Sequence, residues 1–356
     1  MSQPNGNSRK TSSTLRQIAD EAGVSISAVS KVLNGRGKSV RVSPSTAQHI
    51  RDVAIKLNYV PNVLAQSLRM SRTKTVGLVF ENFGSISDGP EYYVHLLDGV
   101  ASELFKRHYR LMILPEIDRQ HPLASVGDGR MDGVIWCKMP PERATIDRLR
   151  SSPIPFVALH APPPEAPTDT VFISCDNAGG ARLAVDHLVG LGHRRMLFVL
   201  ERHEETTPDA QARLGGFLEA CTSHGIDVQD EDVVTWSREA DEFAHWHRKR
   251  GDQTAIFAWN ERIASSILRR AAEAKVSVPN DLSVVGFDST PYCELTSPRL
   301  TAVRQPIRLM AGQAAHTLLD LIEGRPPSQY DQVFACTLDV RDSTGRPRGG
   351  RPSPQS

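Results

Sequence analysis

Apolar residues recur at helical spacing three times between Thr14 and Leu57. In "TLRQIADEAG", Leu15, Ile18, Ala19 and Ala22 fall at i, i+3, i+4 and i+7, which makes one apolar face. Thr14 and Gln17 fit a capping box, and Gly23 can take the left-handed backbone that ends a helix. In "GVSISAVSKVLNG", Ser25 suits an N-cap and Asn34-Gly35 a stop. At 100° per residue Ala28, Val29, Val32 and Leu33 share one side, Ser27, Ser30 and Lys31 point away, and Ile26 sits at the rim. A third helix begins at "SPST", capped by Ser43 with Pro44 at its first position, and buries Ile50, Val53, Ala54 and Leu57. A further segment, "NYVPNVLAQSLRM", has Asn62 as a cap for a helix of only seven residues, Val63 to about Arg69. Nucleation is too costly for so short a helix to stand alone, so it folds only when something holds it.

From Lys74 the pattern changes to short apolar runs alternating with helical stretches. The runs are "TVGLVF", "RLMILP", "DGVIWC" and "IPFVAL", then "RMLFVL", "TAIFAW" and "LSVVGFD", with the Pro-rich "HAPPPEAPTD" between the two series. Buried runs separated by helices predict parallel sheets covered on both faces. Two α/β subdomains with a cleft between them follow, and ligands of such sheets lie beyond the carboxyl ends of the strands. The residues just past those ends are Cys137, His160, Asn260 and Asp288; the loop after the first run leads to Tyr92 and Tyr93, and that after "RMLFVL" to a helix holding Arg213. Amide, carboxylate, guanidinium and aromatic groups together suit a small polar, hydroxylated ligand. Taken singly, each has a structural role open to it: Asn260 as a helix cap, Asp288 as a loop bridge, Arg213 as partner of a surface acid.

The charge is unevenly placed. Residues 1–72 carry 11 Lys and Arg against 3 Asp and Glu, a net +8, while the remaining 31 basic and 38 acidic side chains leave the rest at −7. A basic head on an acidic body points to a polyanionic partner for the head. Two short helices joined by a tight turn and backed by a third make a helix-turn-helix unit. Its second helix would lie in the DNA major groove with Ile26, Ser27 and Lys31 at the base edges. A small bundle with a solvated polar face has the same three-helix pattern, and the charge asymmetry favours DNA.

The five cysteines are odd in number and far apart, with no CxxC pair, so neither a disulfide framework nor a zinc site is expected. No apolar run approaches the ~20 residues of a membrane helix, and "MSQPNGNSRKTSS" has no apolar signal core. A cytoplasmic protein is expected. No GxSxG, P-loop or HExxH occurs, and the glycines of "GDGRMDG" have the wrong spacing for a dinucleotide fingerprint. No enzymatic activity, cofactor or metal is expected.

"TLRQIADEAGVSISAVSKVLNG" followed by "LNYVPNVLAQSLR" resembles the headpiece and hinge of the lactose-repressor (LacI/GalR) family of bacterial transcription regulators. The likeness continues through "CDNAGGARLAVDHLVGLGHRRMLFV", "DAQARLGGFLEA", "TAIFAWNERIA" and "VSVPNDLSVVGFDSTPYCELTSPRLTAVRQP", over about residues 14–342. The resemblance implies an N-terminal three-helix helix-turn-helix domain plus hinge helix. It also implies an α/β core of two parallel-sheet subdomains resembling periplasmic sugar-binding proteins. It implies that a leucine from each of two hinge helices wedges into the minor groove; here that is Leu68, with Ala65 and Asn62 beside it on the hinge. Thr14, Ser25, Ser30 and Asn34 are assigned to phosphate contact or to support of the motif. Arg213, Asn260 and Asp288 match the family's effector-binding arginine, asparagine and aspartate, and Tyr92 and Tyr93 its aromatic positions. Three positions depart from the pattern. Glu261 stands where an Asp usually follows the Asn, and His160 where an Asp is common. The segment "EIDRQHPLASVGDGRMDG" is short and holds Gly and Pro where a helix normally lies. Trp236 is the residue nearest the expected aromatic of the C-terminal subdomain.

The domains implied are a disordered tail over 1–13, the helix-turn-helix domain over 14–59, hinge and linker over 60–73, and the core over 74–342. Within the core the N-subdomain takes about 74–172 and 304–332, and the C-subdomain about 173–303 and 333–342. A disordered tail over 343–356 follows, with no leucine-heptad segment for tetramers. The expected function is a DNA-binding transcriptional regulator, a homodimeric repressor of a palindromic operator. A small polar effector, such as a sugar or sugar derivative, would control it from the cleft. Two alternatives remain: the same build controlled by a protein partner, or a small-molecule-binding protein with a basic tail.

Overall fold

The computed structural model describes residues 13–34, 41–60, 72–79, 91–114, 126, 128–137, 143–162, 166–237, 242–249 and 251–348. The hinge positions Asn62, Ala65 and Leu68, most of the segment 116–133, and the tails over 1–12 and 349–356 lie outside them. The chain divides into two compact units, one ending at Thr73 and one beginning at Lys74.

The first unit contains α1 (Leu15–Ala22), α2 (Ile26–Asn34) and α3 (Pro44–Lys56). Thr14 and Gln17 form the reciprocal capping box, and Gly23 ends α1 at φ 65°. Ser25 Oγ accepts from Ala28 N at 3.2 Å, and Ser43 Oγ from Thr46 N at 3.1 Å. Ile18, Val29 and Ile50, one from each helix, are fully buried together, with Ala19, Ala28, Val53 and Ala54 around them. Val32, Leu33 and Leu57 pack on that cluster half-buried.

The strands of the second unit are β1 (Thr75–Val79), β2 (Arg110–Leu114), β3 (Gly133–Trp136), β4 (Phe156–Ala158), β5 (Val171–Cys175), β6 (Met196–Glu201), β7 (Val233–Trp236), β8 (Ala255–Ala258), β9 (Ser283–Asp288), β10 (Thr301–Arg304), β11 (Asp331–Phe334) and β12 (Thr337–Asp339). Its helices are α4 (Glu91–Lys106), α5 (Arg143–Arg150), α6 (Asn177–Leu191), α7 (Pro208–Ser223), α8 (Glu242–Lys249), α9 (Glu261–Glu273), α10 (Tyr292–Leu295) and α11 (Ile307–Ile322). They build two six-stranded sheets, in the orders β11-β5-β4-β3-β1-β2 and β12-β10-β9-β8-β6-β7. Neighbours in both are parallel except β12, which runs antiparallel to β10. In each sheet the strand order reverses once, between β1 and β3 and between β6 and β8. Crevices for ligands open at such points.

All seven apolar runs form strands. The Pro-rich segment does not divide the subdomains, however. It joins β4 to β5 inside the first sheet, where Val157 and Ala158 pair with Val171 and Phe172. The chain crosses between sheets after Cys175, after Arg304 and after Phe334, later than 172, 303 and 332. Strand hydrogen bonding carries each strand to its end: Cys175 pairs with Phe334, and Arg304 with Asp288. The C-terminal boundary also moves. Ser343, placed in the disordered tail from sequence, is fully buried, its Oγ donating to Val284 O at 2.6 Å and its carbonyl accepting from Val284 N at 2.8 Å. Buried His193 meets Gly345 O at 2.9 Å, so residues 343–345 are packed on the second sheet. Gly, Pro and Arg suggested disorder by composition; paired backbone and a buried serine outweigh it.

The core of the second sheet is aromatic. Phe198 lies 5.1 Å from Phe217 and 5.2 Å from Phe257, ring centre to ring centre, and all three are fully buried. Such pairs add ~0.5–1.5 kcal/mol each beyond their buried area. Among the described residues no helix is long and apolar enough to cross a membrane.

Candidate functional site

Two places gather the polar side chains that the sequence singles out. The first is the start of α2. Its inner face is buried at Ala28 and Val29, while Ile26 is 49% exposed and Ser27 is exposed. Ser30 and Lys31 are half-buried on the same helix. A large aliphatic side chain left exposed at a helix start, beside a serine, gives nothing to the bundle and suits contact with a partner. Thr14 and Ser25 are engaged in capping, which supports the motif. Asn34 ends α2.

The second is a cavity of about 330 Å³ in the cleft of the larger unit. Tyr92, Tyr93, Cys137, His160, Arg213, Asn260 and Asp288 all line it. The topology explains why. Tyr92 and Cys137 follow β1 and β3, which flank the switch point of the first sheet; Asn260 follows β8, which flanks that of the second.

Arg213 is the pivot of the second wall, only 4% exposed. Its helix approaches α6 closely because Gly216 has no side chain: a Cβ there would stand 2.4 Å from Ala178 O. The approach brings Arg213 Nε to Asn177 Oδ1 at 2.8 Å. Its other branch donates to Trp259 O at 2.6 Å and lies 3.6 Å from Asp288 Oδ1. The guanidinium sits over the rings of Phe287 and Trp259, at 3.6 and 4.7 Å from their centres. Arg213 is thus held on every side by the protein and acts as a fixed strut.

Asp288 ends β9 with a left-handed backbone at φ 87°, followed by Ser289 at φ 49°. Gln305 Nε2 donates to its Oδ1 at 2.7 Å. Burial raises its pKa above the ordinary carboxylate value, against the pull of Arg213. Asn260 does two things. Its Oδ1 caps α9, accepting from Ile263 N at 2.9 Å, and its Nδ2 donates to Glu201 at 2.9 Å. On the first wall Tyr92 and Tyr93 meet edge to face, 5.6 Å apart. Burial pushes the pKa of the Tyr92 hydroxyl and the Cys137 thiol upward, so both stay protonated. Burial lowers that of His160 despite the nearby Asp209 carboxylate, which keeps the ring neutral. His160 Nδ1 lies 2.7 Å from Ala161 O, so Nδ1 carries the hydrogen and Nε2 is an acceptor.

Residues 14–62 match the model of the bacterial regulatory proteins of the lacI family, and residues 185–344 that of a periplasmic binding protein-like domain. The chain belongs to the lacI family of bacterial regulators. It is 28% identical over 343 residues to the HTH-type transcriptional regulator DegA of Bacillus subtilis, covering 93% of this chain and 98% of DegA. To GalR of Escherichia coli it is 29% identical over 345 residues, covering 94% and 96%. Among solved structures, the regulator CelR in complex with cellobiose superposes with a TM-score of 0.70 at 27% identity, covering 93% of this chain and 99% of that one. The lac repressor dimer bound to operator and an anti-inducer gives 0.81 at 22% identity, covering 94% and 100%, a likeness of fold.

In this lacI-family chain the cleft also holds residues that the sequence did not single out. Asp209, Glu201, Glu204, Arg262, Trp259 and Gln305 all line it. Asp209 was legible in principle: it stands four residues before Arg213 in "DAQAR", hence on the same helix face. Trp236 does not line the cleft. It packs against Phe243 and Trp246 at the far edge of the second sheet, because β7 lies beyond β6. The cleft's aromatic from the second sheet is Trp259. Glu261 turns away from the cavity, 1% exposed, accepting from Thr290 N at 2.8 Å and Thr290 Oγ1 at 2.6 Å. It therefore braces the left-handed turn that aims Asp288.

Burial, with the charge of Asp288, raises the Glu261 pKa to about 7. The folded state then binds more protons than the unfolded one between its ordinary 4.5 and about 7, so stability falls as pH rises through that window. Glu261→Gln removes this loss. Its melting temperature should exceed the native protein's by a few degrees at pH 8 and by less at pH 5; an equal offset at both would contradict the assignment.

Proposed function

We propose that this lacI-family regulator is a repressor that reads a palindromic operator as a dimer and answers to a small polyhydroxylated effector in the cleft. The observation that carries the reading is the convergence of Tyr92, Tyr93, Cys137, His160, Arg213, Asn260 and Asp288 on one cavity. CelR, which shares the fold along nearly its whole length, is solved in complex with cellobiose. The basic head supplies salt-dependent phosphate affinity. Ile26, Ser27 and Lys31 supply base readout: lysine to guanine, serine to either base type, isoleucine to a thymine methyl. Leu68, with Ala65 and Asn62, forms the minor-groove hinge, where an apolar wedge unstacks a base step. Effector binding shifts the angle between the two sheets across the three crossings, and with it the spacing of the two hinges. That requires different affinity for the two states.

Selecting bound DNA from a random pool, with and without a metabolite mixture, tests the whole reading. A palindromic consensus whose recovery changes with the mixture is expected. Lys31→Ala should change the preferred base at one symmetric pair of positions, by ~1–3 kcal/mol, and leave the salt slope little altered. A uniform loss across all sequences would reduce Lys31 to a phosphate contact.

A further inference from the structure

The two sheets of the larger unit are joined by three crossings, and cysteines stand on two of them. Cys175 ends β5, where the chain first leaves the first sheet; Cys336 lies between β11 and β12, on the last crossing. β11 runs parallel to β5 with Phe334 beside Cys175, and Asp176 N donates to Phe334 O at 2.8 Å. The two crossings therefore start out side by side. Cys336 stands two residues past Phe334, and the period of two along extended chain puts it on the face of Cys175. Neighbouring strands run ~4.8 Å apart, and a disulfide spans Cα separations of ~4.4–6.8 Å. Both side chains pack into one core, Cys175 buried and Cys336 half-buried. The two thiols are free and in hydrogen-bond contact with each other.

Their environments differ in the way a thiol-oxidation pair requires. Burial pushes Cys137, Cys221 and Cys293 upward, so these three stay protonated. Cys336 is drawn below the ordinary thiol value, because the Cys175 S–H donates to its sulfur and, against burial, the Arg213 charge adds to this. The same contact, with burial, raises Cys175. Cys336 is thus the nucleophilic thiolate and Cys175 the thiol that resolves it. Cys175 Sγ also lies 3.4 Å from Asn177 Oδ1, which accepts from Arg213 Nε at 2.8 Å. The pair is one side chain away from the strut that faces Asp288.

We propose that Cys175 and Cys336 form a reversible disulfide on exposure to hydrogen peroxide, and that this bond ties the two crossings together and so changes operator affinity. The Cys336 thiolate attacks one peroxide oxygen; the O–O bond breaks, hydroxide leaves, and Cys336 becomes a sulfenic acid. The proton that Cys336 gave up in forming the thiolate neutralises the hydroxide. The Cys175 sulfur then attacks the Cys336 sulfur; the S–O bond breaks, and the Cys175 proton leaves with the hydroxyl as water. Two thiols and one peroxide give one disulfide and two waters, the sulfurs losing the two electrons that the peroxide gains. A thiol reductant reverses the bond by exchange. Crossings held by a covalent bond cannot shift past each other, so the sheets lose part of their freedom to change angle.

The test treats the reduced full-length protein with a small excess of hydrogen peroxide. Non-reducing peptide mapping should find Cys175 joined to Cys336, with Cys137, Cys221 and Cys293 still open to alkylation after denaturation. Cys175→Ser should strand Cys336 as a sulfenic acid that dimedone traps; Cys336→Ser should leave Cys175 a free thiol. Operator affinity is read by gel shift on DNA selected by the reduced protein. It should change at least about fivefold on oxidation, the low end of coupling between distant sites, and return with dithiothreitol. Either serine variant, checked for native melting, should show no change. The mapping on the native chain decides the pairing even where a variant misfolds. Oxidation that falls first on another cysteine, or that stops at the sulfenic acid in the native chain, would overturn the pairing. A complete disulfide with unaltered operator affinity would overturn the control through the crossings. So would an affinity change that persists in both serine variants, since another oxidised residue would then carry it.

Discussion

Asp288→Asn should leave a folded protein that binds operator but no longer responds to its effector, with ligand affinity down at least ~100-fold. The substitution is matched to the backbone. Asp288 sits at φ 87°, and Asn tolerates the left-handed region better than most residues. Gln305 Nε2 keeps an oxygen to donate to. What disappears is the charge facing Arg213, whose side chain is 5% exposed and 3.6 Å away. A buried charge that loses its partner costs several kcal/mol, ~3–5 for outright removal. The ligand loses both an ionic acceptor and a strut held in place. Asp288→Ala should do the same and also melt earlier, because Ala at positive φ adds ~1–2 kcal/mol of strain. Calorimetry and a gel-shift titration at rising ligand concentration check this. A native-like change in operator affinity of Asp288→Asn at the native protein's ligand concentration would place the effector elsewhere.

Val29→Asp should abolish operator binding while leaving the larger unit's melting within about 1 °C and its ligand binding intact. Val29 is fully buried at the centre of a bundle whose core is seven residues. An unpaired carboxylate there costs several kcal/mol, comparable to the whole stability of so small a core. The division of the chain at Thr73 confines the damage to the first unit. Limited proteolysis should cut the variant between residues 14 and 59 far faster than the native chain. Ile26→Ala, three residues away on the exposed side, should stay resistant and change only which operator is preferred. If Val29→Asp still binds operator, the bundle core is assigned wrongly.

The two predictions differ in how much of them could be read from the chain. The headpiece was almost wholly legible. Its caps at Thr14, Ser25 and Ser43, its stop at Gly23 and its inner face at Ile18, Val29 and Ile50 depend on neighbours within a few residues. The seven apolar runs were legible as strands for the same reason. The five strands outside those runs, β5, β7, β10, β11 and β12, were not: none exceeds five residues, and β11 and β12 carry exposed polar positions at sheet edges. Their pairing partners lie far off in sequence, as Phe334 does from Cys175.

The cleft divides in the same way. By itself the sequence determined the two kinds of element, the basic head and acidic body, and which side chains stand just past strand ends, since period, capping and charge are local. Only the tertiary structure decided that Arg213 is braced by Asn177 and Trp259, that Glu261 faces inward to Thr290, and that Trp236 stays outside the cavity. It alone brought Asp209 to His160 and packed Ser343 beneath β9. Each of those depends on three chain crossings and on strands set side by side from distant segments. Such placements are selected by burial and hydrogen-bond completion over the whole fold, and no short window of residues contains them.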